Sequence, residues 1–284
     1  MSGNTYVDEF RGTDEMYIAD VLVDDNEVGS GHGYITGTPE LLAPVAEISK
    51  AVATASETKY YNNGPALTIN AEGADTINLN VPALPLAVLA HITGKKIDAA
   101  TGGLMDGKSN PPYVALGYRL KLTDGSHRYV WRLKGTFAPP AETSQTENAG
   151  TDSQGQQLVF TGIDTIHKFT KAVDTQGNTM TQKAWVCDER DMKADLSGFF
   201  SQVTTCDNAV AKQTYTLSIT QATGTTVTVK RGNQILSSSD VLYAGDVLTI
   251  TCTGGTLTVN SNSFTSGNTL TVSANVTVVS TASV

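Results

Sequence analysis

The sequence predicts a mainly β protein in two parts. Residues 1–210 read as mostly strand with one α-helix packed against a sheet, and residues 211–284 as a small β-sandwich. Three observations predict this: period-2 alternation and β-branched runs recur along the chain, one segment alone carries helix signals at both ends, and the composition changes near residues 209–213. Residues 1–210 hold 26 acids against 16 bases, a charge of −10, while residues 211–284 hold two acids against three bases, a charge of +1. All nine prolines precede residue 141, and 37 of the last 74 residues are Thr, Ser or Val. A change of regime this sharp marks a domain boundary.

In the first part, residues 16–23, 45–55, 66–69, 76–81, 114–123, 128–135, 158–170 and 179–186 have strand-like alternation or β-branched content. Residues 85–93 read as the helix. Pro85 suits a first-turn position and Gly94 the stop, and the spacing of Leu86, Leu89 and Ala90 offers one apolar face to a sheet. A hairpin closes at Asp124-Gly125-Ser126. Its arms put Leu116, Tyr118, Leu120 and Leu122 with Tyr129, Trp131 and Leu133 on the inner side, and Arg119, Lys121, Arg128, Arg132 and Lys134 on the opposite side. Five bases on one outward face of an acidic domain are either a solvated face balanced by nearby acids or a docking surface for an acidic face of another subunit. Residues 137–157 have almost no apolar content, and a loop of that length is functional or orders on assembly.

In the second part, residues 215–220, 225–230, 234–237, 247–253, 256–260 and 269–279 read as strands. Gly232-Asn233 and Gly254-Gly255 supply hairpin turns, because both need residues that tolerate positive φ. Leu248, Ile250 and Cys252 alternate with Val247, Thr249 and Thr251, the pattern of a half-buried strand. Short strands without helix predict an immunoglobulin-like sandwich.

The net charge of −9 and a pI near 4.9 argue against a nucleic-acid reader and against a binder of acidic membranes. No apolar stretch reaches the length of a transmembrane helix, so no membrane partner is expected, and the first ten residues show no secretory pattern. Cys187, Cys206 and Cys252 are odd in number and widely spaced, which indicates neither a disulfide framework nor a zinc site. Residues 102–109 match the phosphate-loop pattern G-x-x-x-x-G-K-[ST], but no buried strand feeds them and Pro111-Pro112 forbid the helix that the chemistry requires. They read as a glycine-rich surface loop. Gly29-Ser30-Gly31-His32-Gly33 has the wrong spacing for a dinucleotide fingerprint, and His32, His91, His127 and His167 lack metal-ligand spacing. Residues 24–27 mark an acidic turn rather than a calcium loop. Neither catalysis nor a cofactor is expected.

The order of elements over residues 1–190 resembles the major tail (tail tube) protein of long, flexible-tailed bacteriophages. The stretches that carry the likeness are Gly37-Thr38-Pro39-Glu40-Leu41-Leu42-Ala43-Pro44 with Val45-Ala46-Glu47-Ile48, then Lys59-Tyr60-Tyr61-Asn62, then Leu84-Pro85-Leu86-Ala87-Val88-Leu89-Ala90. They continue with Pro112-Tyr113-Val114-Ala115-Leu116-Gly117-Tyr118-Arg119, Asp124-Gly125, Arg128-Tyr129-Val130-Trp131 and Lys134-Gly135. The resemblance implies a tail-tube-type β-sandwich in stacked, hexameric rings, whose inner strands form a continuous barrel around double-stranded DNA leaving the capsid. It also implies tape measure, tail terminator and baseplate proteins as partners, a place in the virion tail, and assembly in the host cytoplasm. A lumen that repels the passing polyanion suits an acidic domain, since fixed cations would hold the DNA. The five bases Arg119, Lys121, Arg128, Arg132 and Lys134 are then the candidate inter-subunit interface. Residues 211–284 depart from the usual pattern and read as an Ig-like decoration that contacts host-surface glycans. A surface-displayed β adhesin or carbohydrate-binding module is the alternative.

Overall fold

A computed structural model describes residues 9–141, 155–191 and 193–283. The chain divides into two compact units: Met1–Asp191 with Leu196–Ala209, and Met192–Asp195 with Val210–Val284. The first is built from β1 (Phe10–Asp24), β2 (Tyr34–Thr36), β3 (Glu40–Ala43), β4 (Glu47–Tyr61), β5 (Gly64–Val81), α1 (Leu86–Thr93), β6 (Lys96–Ile97) and β7 (Leu104–Met105). It continues with β8 (Val114–Leu122), β9 (His127–Ala141), β10 (Gln156–Gly162), β11 (Phe169–Val173), β12 (Thr179–Met180) and β13 (Ala184–Asp188). Its main sheet runs β2-β1-β8-β9-β10-β5-β4, with β13 added to β9 and β3 to β1. Every pairing in it is antiparallel.

Two cores flank this sheet. On one side Ile77, Leu79, Leu116, Val130, Phe137, Leu158 and Phe160 pack together with Met16 and Ile92. On the other, Tyr129, Trp131 and Leu133 pack against Phe169, Phe199 and Val203, and the Trp131 indole donates to the Phe199 carbonyl at 3.0 Å. The strands β8 and β9 are therefore covered on both faces. A bulge sets which face each residue takes: β9 carries one more residue than β8 between the pairs Leu116↔Arg132 and Val114↔Gly135. Beyond that bulge the alternation inverts, so Phe137 joins the same core as Val130. Gly135 has to be glycine, because a Cβ there would lie 2.3 Å from the Phe160 ring.

The helix obeys its end signals. Pro85 precedes it in an extended conformation, Gly94 takes φ 66°, and Gly94 and Lys95 donate to the carbonyls of His91 and Ala90 in a Schellman closure. Its buried side is Leu89, Ala90, Ile92 and Thr93; Leu86, expected on that side, is half exposed.

Other expectations are corrected by the pairing. Residues 66–69 and 76–81 belong to one continuous strand, β5, because β4 pairs along its whole length. The strand expected over 158–170 stops at Gly162, and that over 179–186 is two pieces. Of the loop expected over 137–157, both ends are strand, Phe137 to Ala141 in β9 and Gln156-Gln157 in β10; residues 142–154 lie outside the described residues.

The second unit contains β14 (Thr214–Thr220), β15 (Thr226–Arg231), β16 (Gln234–Leu236), β17 (Val241–Tyr243) and β18 (Val247–Thr253). The remaining strands are β19 (Gly255–Val259), β20 (Asn262–Phe264), β21 (Thr269–Thr271) and β22 (Val276–Ala282). They form a five-stranded sheet, β17-β14-β22-β19-β20, and a four-stranded sheet, β16-β15-β18-β21. Leu217, Val259, Val276 and Val278 of one sheet share a core with Val229, Leu248, Ile250 and Cys252 of the other. Gly232-Asn233 closes the β15–β16 hairpin, with Arg231 opposite Gln234. Gly254-Gly255 does not close a hairpin: it carries the chain from β18 in one sheet to β19 in the other. Residues 269–279, expected as one strand, divide between the two sheets as β21 and β22.

Candidate assembly interface

The five predicted bases do not form one surface. Register pairs Arg119 with Tyr129 and Lys121 with His127 on one face of the β8–β9 hairpin, and Leu120 with Arg128 and Leu116 with Arg132 on the other. The sequence expectation had aligned the two arms one residue out of step, and a one-residue slip exchanges the faces of a strand. Four of the five spend their charge within the chain. Arg119 donates to Asp14 at 2.8 and 3.0 Å and to Glu15 at 2.8 Å, and Arg128 donates to Asp188 at 2.6 and 2.7 Å. Buried Arg132 reaches Asp75 at 3.0 Å, and buried Lys134 reaches Asp24 at 2.6 Å with its ammonium over the Tyr113 ring. Lys121 is the exposed member.

Asp24, expected only as part of an acidic turn, is a tie point. Besides Lys134, its carboxylate accepts from the backbone of Ile166 and His167. The histidines face carboxylates or a carbonyl: His32 faces Asp25 and Glu27, His91 faces Asp20, His127 faces Glu189, and His167 meets the Asp25 carbonyl. Among the described residues no three His, Cys, Asp or Glu side chains converge as metal ligands. Residues 102–109 pass through β7 with no helix after them. Burial and the neighbouring Asp207 push the Cys206 thiol up to about 11, the opposite of a primed nucleophile.

The ion pairs make the first unit sensitive to acid. Hydrogen bonds from Arg119 and Arg128 hold Asp14 and Asp188 below the ordinary carboxylate value of 3.8. A carboxyl lowered in the folded state contributes its full stability above its unfolded pKa and loses it as pH falls through the folded one. The melting temperature of this unit is therefore expected to hold from neutrality to about pH 4 and to fall below it, and an Arg128→Leu variant should show a shallower fall. Melting curves recorded across pH check this, and parallel curves for the two proteins would refute it.

Among the described residues, the far half of the β4–β5 ribbon packs against no other element. The two strands turn through Asn62 and Asn63, both with positive φ (52° and 63°), a two-residue turn whose twist matches the strands. Buried positions on β5 end at Asp75, and every residue of β4 is exposed or half-exposed. At about 3.3 Å per residue, Gly64 to Ala74 projects about 35 Å. One face of the ribbon is polar, with Ser56 bonded to Asn70 at 2.8 Å and Thr58 to Thr68 at 3.3 Å. The other carries Ala55, Ala71, Ile69 and Leu67, the last two 50% and 53% exposed, with the Glu57–Lys59 ion pair beside them, and Tyr60 and Tyr61 stand at the tip, 68% and 66% exposed. A two-stranded ribbon on its own is marginal in water, so this one is built to be covered.

At the ribbon's root, where β5 leaves the core, Asp75 is 1% exposed and ringed by cations. Arg132 lies at 3.0 Å, Lys50 at 3.1 Å and Lys183 at 3.9 Å, while Lys183 also binds Glu72 at 3.1 Å and the Gly73 carbonyl. Three cations from β4, β9 and the segment before β13 thus fix the ribbon to the body through one carboxylate. Sequence reasoning missed this node, since Asp75 sits in a run of alternation like any outward polar residue. The turn was findable: Asn62-Asn63 between two alternating runs is a signal for two positive φ values.

The outer edge of β4 completes the site. Among the described residues β4 pairs on one side only, leaving a 15-residue edge without Pro or Gly. The edge strands of the second unit, β16, β17, β20 and β21, have three residues each, the usual protection against pairing with another chain. The contrast defines the class: among the described residues, the first unit is an antiparallel β protein with one long uncovered sheet edge and an exposed ribbon. Residues 43–205 match the family model described as phage tail tube protein, over half of the chain. The chain belongs to that family and is a structural protein of the bacteriophage virion tail. No curated protein matches it.

Proposed function

We propose that this major tail protein polymerises as stacked, hexameric rings that form the conduit for double-stranded DNA on its way out of the capsid. The observation that carries the reading is the unpaired β4 edge running into a ribbon exposed on both faces, in a chain of the tail tube family. A neighbour's sheet edge laid along β4 makes a heterologous contact that closes a ring and removes the free edge. The ribbon reaches beyond its own subunit, and its Leu67–Ile69 face packs on the next copy, the open-ended direction of growth. The exposed residue among the five bases, Lys121, is too little to serve as the docking patch first expected. Tape measure, terminator and baseplate proteins are the partners the family resemblance implies, with assembly in the host cytoplasm. A surface adhesin, the alternative the sequence allowed, has no observation in its favour.

Negative-stain microscopy of the concentrated, purified protein tests the reading. Tubes or stacked rings are expected, and persistent monomers at high concentration would count against it. Residues 211–284 we assign to an Ig-like decoration domain whose ligand would be host-surface glycans. Protein lacking them is still expected to form tubes in the same assay, and loss of polymerisation would make the segment part of the tube.

A further inference from the structure

We propose that Asn63, at the tip of the β4–β5 ribbon, is a site of spontaneous deamidation that is open in the free subunit and closed once a second copy covers the ribbon. The closing rests on the polymer reading above; the site itself does not. Asn63-Gly64 is the one Asn-Gly step in the sequence. Glycine after asparagine favours the reaction, because no Cβ hinders the approach of its backbone nitrogen to the preceding side chain. Asn63 is exposed, and among the described residues no hydrogen bond holds its side-chain amide. Another turn with positive φ at two successive non-glycine residues supplies the contrast. At Asn260 and Ser261 (φ 49° and 66°) serine follows the asparagine, and the Asn260 side-chain oxygen accepts from the Thr277 N–H at 2.8 Å.

In the reaction the Gly64 nitrogen gives its proton to solvent base and bonds to the side-chain carbonyl carbon of Asn63, whose bond to the amide nitrogen breaks to release ammonia. Water then opens the cyclic imide at either carbonyl, leaving aspartate or isoaspartate at position 63. Nothing is oxidised or reduced, and water is the co-reactant. In a closed turn the N–H of the fourth residue bonds the carbonyl of the first, which here sets Gly64 against Tyr61, so the attacking nitrogen is released when the turn opens. Beyond Asp75 the ribbon has no buried position, and two strands without a core open readily. A copy packed on the ribbon has to leave first, which slows the reaction. Conversion adds a carboxylate beside Tyr60 and Tyr61, both exposed at the tip. That charge must be desolvated on docking, and the longer backbone of isoaspartate upsets a two-residue turn. Subunits that stay unassembled thereby lose the capacity to polymerise.

The test ages the full chain as free subunits in dilute solution and as assembled tubes, at equal pH and temperature, and follows the peptides spanning Asn63 and Asn260 by mass spectrometry. In free subunits the mass gain of amide-to-acid conversion is expected at Asn63, faster at higher pH, with Asn260 unchanged; conversion no faster at Asn63 than at Asn260 would overturn the site. In tubes conversion at Asn63 is expected to be about tenfold slower, and equal rates would overturn the closing. Gly64→Ala is the control that keeps the asparagine. Gly64 is not at positive φ, and a Cβ there meets nothing beyond its chain neighbours nearer than the Tyr61 carbonyl oxygen at 3.9 Å, so the turn accepts it. Aged free subunits of this variant are expected to form tubes as fresh ones do, while aged unsubstituted subunits form fewer in proportion to conversion. Undiminished tube formation by converted chains would overturn the loss of competence. If the fresh unsubstituted chain forms no tubes, the polymer reading fails and the closing with it, whereas the site stands or falls on the free-subunit arm.

Discussion

Replacing Asp75 with alanine is expected to destabilise the first unit by about 3–5 kcal/mol, the usual consequence of leaving a buried charge without its partner. The cost falls on Arg132, whose side chain is 10% exposed and whose other contact is the Tyr118 hydroxyl at 3.4 Å. Lys50, a third exposed, can turn to water, and Lys183 keeps Glu72 and the Gly73 carbonyl. An Asp75→Leu, Arg132→Met pair should recover most of the loss, because it removes both charges rather than one. Both tryptophans, Trp131 and Trp185, lie in the first unit, so their fluorescence during urea unfolding follows that unit alone. A midpoint shift worth under about 1 kcal/mol in the single variant would show that the carboxylate is not what anchors the ribbon.

The second large effect is on assembly and not on folding. Leu67→Asp with Ile69→Asp should change the unfolding free energy by less than about 0.5 kcal/mol, since both side chains are already half exposed. Tube formation should be lost, because two carboxylates would have to be desolvated on the face proposed to pack on the next copy. Sedimentation separates polymer from monomer, and microscopy shows what the polymer is. Tubes of normal length from this variant would mean that growth does not use the ribbon. Together the two variants separate root from tip: the first weakens the fold that aims the ribbon, the second leaves the aim intact and spoils the contact.

Local signals were legible wherever a residue's own chemistry decides its conformation. Pro85 and Gly94 bound the helix because one lacks an N–H and the other tolerates positive φ. Gly232-Asn233 closes a hairpin for the latter reason. Gly254-Gly255 has the same chemistry and a different outcome, because which strand follows a turn depends on which sheet has room for it. The long ribbon was half legible. Its two strands alternate and Asn62-Asn63 announce the turn, but the same alternation would describe a half-buried hairpin, and only the body around it decides that nothing covers the tip.

What the sequence by itself determined is the mainly β character, the single helix with its ends, the alternation of β18, and the change of composition near residue 210. Those follow from intrinsic φ preferences and side-chain periodicity, which act within a few residues. The tertiary structure alone decided the faces. One extra residue in β9 inverts its alternation, and the register of β8 against β9 sends Arg119 and Arg132 to opposite sides. A charge that looks solvated on paper is thereby buried against Asp75. Period tells how side chains alternate along a strand; register and bulges, set by what lies across the sheet, tell which of them meet.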